Sequence, residues 1–178
     1  LGKNDTFIQV SNYVWDGSIF DIFCSMLRGA TLVIPDLSKI FSVRSFIRII
    51  KENKVTVTLF PTALLNNLVK SDTDFLKHFR HVYFGGESPN YEVVKKAFSI
   101  TGPNVLKHCY GPTECTTISN IKEINTLPED RYISVGKPIW NCSAYILNDQ
   151  LQPQKQGEIG EVYIGGNGVS PGYLNNEG

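Results

Sequence analysis

The hydrophobic patterning predicts an α/β fold: an alternating strand–helix layer with a mostly parallel sheet, followed by a β-rich, barrel-like segment. Two observations carry this. Up to about Cys115, short β-branched runs that suit strands alternate with stretches whose apolar residues recur at helical spacing. From about Thr116 the helical period is lost, and short apolar runs are separated by Gly, Pro, Asn and Gln. The change divides the 178 residues into a 1–125 α/β portion and a truncated β-rich portion at 126–178.

The elements follow in order. Residues 6–10 read as a short strand. Residues 19–28 read as a helix with Ile19, Ile22, Phe23, Met26 and Leu27 on one face, ended by Gly29. Residues 31–34 form a buried strand stopped by Pro35. A second helix starts near Ser42, with Val43, Phe46, Ile47 and Ile50 at helical spacing. Residues 55–60 are a β-branched strand closed by Pro61, and 63–69 are helical. The strand at 81–84 runs into Gly85-Gly86. Ser88-Pro89 then supplies an N-cap and a first-turn proline for a helix to about Phe98, broken by Gly102-Pro103. Residues 105–109 are another strand, and 143–147 and 161–164 are strands of the second portion.

Composition narrows the function classes. Hydrophobic residues make up 42% and charged residues 19%, enough for a sizeable core and unlike a disordered chain. Net charge is zero and no basic run offers a footprint for nucleic acid. No apolar stretch is long enough to span a membrane, and no signal-peptide pattern is present. Cys24, Cys109, Cys115 and Cys142 are scattered without CxxC spacing, which argues against a zinc site or redox pair and reads as cytoplasmic. Asn4-Asp5-Thr6 and Asn141-Cys142-Ser143 match the glycosylation pattern by chance. The first residue, Leu1, and the ending Asn175-Asn176-Glu177-Gly178 read as those of a piece of a longer polypeptide.

Three stretches carry chemistry. In Lys107-His108-Cys109-Tyr110-Gly111-Pro112-Thr113-Glu114, a strand ends in a sharp turn, at the strand end where α/β sheets bind ligands. Tyr110 offers a flat face to a base, Thr113 a hydroxyl to a phosphate oxygen, and Glu114 a hard carboxylate to magnesium. On spacing alone, a tight turn with a surface Thr-Glu explains the stretch equally well. In Trp15-Asp16-Gly17-Ser18-Ile19-Phe20-Asp21, Asp16 precedes a helix, and spacing alone favours an N-cap aspartate. The glycine-rich run at 157–174 fits neither GxxxxGK[ST] nor a helix-opening GxGxxG, so turns in a β region explain it better than phosphate binding. Gly86-Glu87-Ser88 is not a nucleophile elbow, because Asn90 stands where glycine is needed. His78 and His81 have no third ligand nearby.

Together these stretches resemble the adenylate-forming, AMP-binding superfamily, most closely the amino-acid adenylation domains of nonribosomal peptide synthetases. The resemblance covers essentially the whole chain. Tyr110-Gly111-Pro112-Thr113-Glu114 matches a family signature, and 157–174 matches its glycine-rich β motif. Trp15-Asp16-Gly17-Ser18 matches its Phe-Asp-x-Ser motif with Trp15 for Phe, and Val135-Gly136-Lys137-Pro138-Ile139 is also similar. The resemblance implies a central fragment of the larger N-terminal adenylation subdomain. Its parent would join an amino acid to ATP with Mg2+, release pyrophosphate and pass the acyl group to the phosphopantetheine thiol of a carrier protein. Tyr110 would stack on adenine, Gly86 and Glu87 would line its pocket, Thr113 would touch the α-phosphate and Glu114 would hold the metal. His108 stands where an adenine-bonding asparagine is common.

By the same match Asp16 pairs with the substrate ammonium. The pocket walls are Gly17, Phe20, Thr58, Tyr83, Gly85, Cys109, Thr117 and Ile118, with no charge to meet a charged side chain. A neutral, mainly apolar amino acid follows, branched aliphatic first, since an unpaired buried charge is costly. The family's phosphate loop belongs before Leu1, and its ribose-binding aspartate and catalytic lysine after Gly178, so the fragment alone is expected to be inactive. Two alternatives stand beside this reading. One is an acyl-CoA or aryl-acid ligase fragment, against which Asp16 argues. The other is a non-catalytic nucleotide-binding scaffold.

Overall fold

A computed structural model describes residues 1–36 and 42–175. Residues 176–178, on which the reading of the chain's last residues rests, lie outside the described part. Among the described residues the fold has two sheets. The larger has seven strands in the order β2-β1-β3-β4-β5-β6-β7, and the smaller pairs β8 with β9. The first five strands are β1 (Thr6–Ile8), β2 (Thr31–Val33), β3 (Val57–Pro61), β4 (His81–Gly85) and β5 (Leu106–Tyr110). All of them pair in parallel. Parallel neighbours need crossover connections, and α1 (Gly17–Met26), α2 (Val43–Glu52), α3 (Thr62–Ser71) and α4 (Tyr91–Thr101) lie in them.

At β6 (Asn120–Glu123) the sheet turns antiparallel, and β7 (Lys137–Pro138) continues it. The antiparallel ribbon of β8 (Cys142–Leu147) and β9 (Glu161–Gly166) follows, and no helix occurs among described residues 126–175. The expected alternation and the β-rich segment are therefore both present.

Strand alternation divides the core between the two faces of the large sheet. One face carries Phe60, Val82, Phe84 and Leu106 against Phe46 and Ile50 of α2, Leu65 and Leu68 of α3, and Val94 and Ala97 of α4. The other carries Phe7, Val57, Leu59 and Cys109 against Phe20 of α1. Fully burying a large apolar side chain stabilises by ~1.5–3 kcal/mol, so the first cluster dominates.

Two local expectations are corrected. Asn90, not Ser88, caps α4: its Oδ1 accepts from the backbone N–H groups of Glu92 and Val93 at 3.0 and 3.3 Å. In α1 the face turned inward is Ser18, Phe20, Asp21 and Ser25. The apolar stripe of Ile19, Phe23, Met26 and Leu27 is exposed instead, with Leu27 at 81%. Helical periodicity finds a face but does not say which side the sheet takes.

Candidate active site

A cavity of about 650 Å³ opens at the carboxyl ends of β1, β3, β4 and β5, where open α/β sheets bind ligands. Four chain segments line it. The β1–α1 loop gives Val10, Ser11, Asn12, Trp15, Asp16 and Gly17. The end of β3 gives Leu59, Phe60 and Pro61, and β4 gives Gly85 and the following Gly86. The β5 end and the turn after it give Cys109, Gly111, Pro112, Thr113, Thr117 and Ile118. No lysine, arginine or histidine is among these residues, so the described walls carry one carboxylate and no cation.

Asp16 occupies the N-cap position of α1 but does not act as a cap. Its backbone is helical, and its side chain makes no capping hydrogen bond. That removes the explanation spacing alone favoured, because a capping aspartate needs an extended backbone and a bond to the second or third N–H of the helix. The loop is fixed from across the cavity: the Thr117 hydroxyl donates to the Asp16 carbonyl at 2.9 Å.

The turn after β5 is tight. The Tyr110 carbonyl accepts from the Ser119 N–H at 2.9 Å and from the Ser119 hydroxyl at 3.2 Å. A β-carbon on Gly111 would lie 2.7 Å from the Ser119 nitrogen and the Thr117 carbonyl, so only glycine allows this approach. Thr116 and Thr117 both have left-handed φ, 60° and 68°, which β-branched residues rarely adopt. Strain of this kind persists only where surrounding contacts hold it, and it gathers at ligand sites. Tyr110 is part-exposed at the strand end. Thr113 and Glu114 sit in a short 3-10 turn. Glu114 Oε1 accepts from the Tyr173 hydroxyl at 2.8 Å, and its carbonyl accepts from the Ser170 N–H at 2.7 Å. Its own backbone N–H and the Tyr173 hydroxyl hold its carboxyl below the usual range.

Among the residues singled out from the sequence, Asp16, Gly17, Gly85, Gly86, Cys109, Thr113, Thr117 and Ile118 meet around the cavity. Phe20 and Tyr83 lie outside the lining, packed on each other with ring centroids 4.8 Å apart. Burial pushes the Tyr83 phenol up to about 12 and the Cys109 thiol up to about 12, so both stay neutral. Thr58 is fully buried, its hydroxyl has no partner among the described residues, and it does not line the cavity. Nor does His108, which stacks on Phe84 at 5.4 Å and bonds the Ser134 carbonyl through Nδ1 at 2.9 Å. Burial lowers its pKa, which favours the neutral ring. Glu87, Tyr110 and Glu114 are exposed beside the cavity rather than in its lining. Ser11, Asn12 and Pro61 line it unforeseen. Their signal was position alone, just past the ends of two predicted strands.

A family model described as AMP-binding enzyme matches residues 1–174. The chain belongs to the AMP-binding enzyme family. Surfactin synthase subunit 3 of Bacillus subtilis (strain 168) is 42% identical over 98% of the chain, and bacitracin synthase 1 of Bacillus licheniformis is 37% identical over 98%. The chain spans only 14% and 3% of those two proteins. Among AMP-binding folds of known structure, the Klebsiella oxytoca NpsA N-terminal subdomain in complex with 3-hydroxybenzoyl-AMSN superimposes with a TM-score of 0.84 at 26% identity, covering 97% of this chain and 44% of that one. Holo-PA1221, an NRPS protein containing adenylation and PCP domains, gives a TM-score of 0.88 at 25% identity over 98% of this chain and 31% of that one. Synthetase relatives and structural neighbours thus agree with the AMP-binding family model on the fold of this chain.

Proposed function

We propose that this chain is the central part of an ATP-dependent ligase that activates an amino acid as its aminoacyl-adenylate, for transfer to a carrier-protein thiol. The observation that carries the reading is the uncapped Asp16 carboxylate at a cavity whose described lining has no cation. Such a group suits an ammonium, and the apolar remainder, Gly85, Cys109 and Ile118, suits a neutral side chain. Within that class a branched aliphatic side chain comes first, because the described lining offers no partner for a charged one.

On this reading Thr113 faces the nucleotide from the β5 turn, with the exposed Tyr110 ring and Gly86 beside the base. Glu114 fits a magnesium ion: it is exposed, and the Tyr173 hydroxyl that bonds it among the described residues is neutral. Magnesium usually takes one or two carboxylates plus phosphate oxygens, and when bound it would neutralise phosphate charge. The chain's own part is positioning: Asp16 holds the amine, and the turn 111–117 holds the nucleotide side, bringing carboxylate and phosphorus together.

The test is pyrophosphate exchange by the full-length parent and its Asp16→Asn variant, with melting curves alongside. Two unit charges ~4 Å apart interact by roughly 4 kcal/mol at an effective dielectric of 20. Loss of the pair should lower kcat/KM by about two to four decades with folding little changed. A variant that melts normally and activates its amino acid within a few-fold of wild type would return Asp16 to a structural role and favour the aryl or acyl ligase class.

A further inference from the structure

We infer that Asp21 is a positioning residue for this site, holding the β1–α1 loop in the shape that presents Asp16. Asp21 lies on the inward face of α1 and is 0% exposed. Its Oδ2 accepts from the backbone N–H of Val10 at 2.9 Å and of Ser11 at 3.3 Å. These are the first residues of the loop beyond the sheet: the Gln9 N–H still bonds the Val33 carbonyl, and the Val10 and Ser11 amides turn to Asp21 instead. Both residues line the cavity.

The anchor reaches Asp16 by two routes. Ser11 sits against Gly17, its Oγ 2.6 Å from where a β-carbon on Gly17 would stand, so the start and end of the loop are packed together. Within the loop the Trp15 N–H bonds the Asn12 carbonyl at 2.9 Å, and the Val14 N–H bonds the Asn12 side chain at 3.1 Å. A loop closed this way moves as a unit, and Asp21 fixes the end that leaves β1.

Packing alone does not call for a carboxylate here. Oδ1 is buried with no partner among the described residues. Burial pushes the group up to about 7, against the two amide bonds that pull it down. A buried polar atom left unmade costs ~1–3 kcal/mol, so the side chain is retained against a stability penalty. Such penalties are expected where a group serves a site.

The inference rests on the reading of Asp16 as the ammonium partner, and the test separates the two. In the full-length parent, Asp21→Ala, Asp21→Asn and Asp16→Asn are compared by pyrophosphate exchange, melting and hydrogen exchange of residues 9–16. Asp21→Ala should speed exchange across 9–16 and raise the KM for the amino acid at least about tenfold, leaving the KM for ATP within about twofold. That is the effect of losing ~1.4 kcal/mol of binding. Asp21→Asn, whose amide oxygen accepts the same N–H bonds, should stay within about threefold. Parallel rises in both KM values, or unchanged exchange across 9–16 in Asp21→Ala, would overturn the anchor while a damaged Asp16→Asn upheld the reading of Asp16. A silent Asp16→Asn beside a sensitive Asp21→Ala would overturn that reading, and with it the route through Asp16.

Discussion

The Thr117 hydroxyl donates to the Asp16 carbonyl across 101 residues of sequence. The bond joins the two loops that face each other over the cavity, one before α1 and one after β5. Thr117→Val keeps the shape and the left-handed backbone but removes the donor. A net hydrogen bond contributes ~0.5–1.5 kcal/mol, so the KM for the amino acid should rise about 2- to 12-fold. Steady-state exchange kinetics of the parent check this, and an unchanged KM would make the contact incidental.

Tyr173 and Glu114 supply a second test. In the parent, Glu114→Gln should lower adenylation by ~10²–10³ through loss of a positioned charge. Tyr173→Phe keeps the carboxylate and removes one donor, so its effect should be far smaller and should appear as a raised magnesium requirement. A magnesium titration of the exchange rate distinguishes them. Full activity of Glu114→Gln at saturating magnesium would take Glu114 out of the site.

Asp21 makes stability depend on pH with a definite sign. Burial pushes its folded pKa up to about 7 from the 3.8 of a free aspartate, so the folded chain binds the proton more tightly than the unfolded chain. The favourable contribution is present below pH 3.8 and is lost as pH rises through about 7. The loss is on the order of a few kcal/mol. Melting of wild type against Asp21→Asn from pH 4 to 8 should show the variant free of this decline; parallel curves would refute the assignment.

The isolated chain should not exchange pyrophosphate with any amino acid. The described cavity lining holds no cation to offset the charge of a triphosphate. Robust exchange by the 178 residues alone would show that the charge-neutralising groups lie within them.

Strands β1 to β5 were legible as short apolar runs, and residues 55–60 and 81–84 became β3 and β4 with small shifts; β6 and the two-residue β7 were not read as strands, because Asn120–Glu123 and Lys137–Pro138 carry almost no apolar pattern. Motif matching also brought Asp16, Gly85, Cys109 and Thr117 to one cavity. What stayed hidden was orientation. The stripe of Ile19, Phe23 and Met26 has the right period but lies outward, while Ser18, Asp21 and Ser25 face in. His108 and Thr58 show the same limit: a position on a strand names a residue, and the pleat decides which face it serves. Asp21 had one available signal, a carboxylate three residues after Ser18 and four before Ser25, forming a polar line along an otherwise apolar helix.

The strand order β2-β1-β3-β4-β5-β6-β7 also bears on when the cavity comes into being. Its walls come from loops around residues 10–17, 59–61, 85–86 and 109–118, which meet only after several long crossovers have closed. Contacts so far apart in sequence form slowly, after the local helix and hydrophobic contacts. The large cluster between the sheet and α2, α3 and α4 runs from Ile8 to Ile124 through the same crossovers, and Phe60 belongs both to it and to the cavity wall. A newly made chain would therefore acquire its recognition surface together with its core.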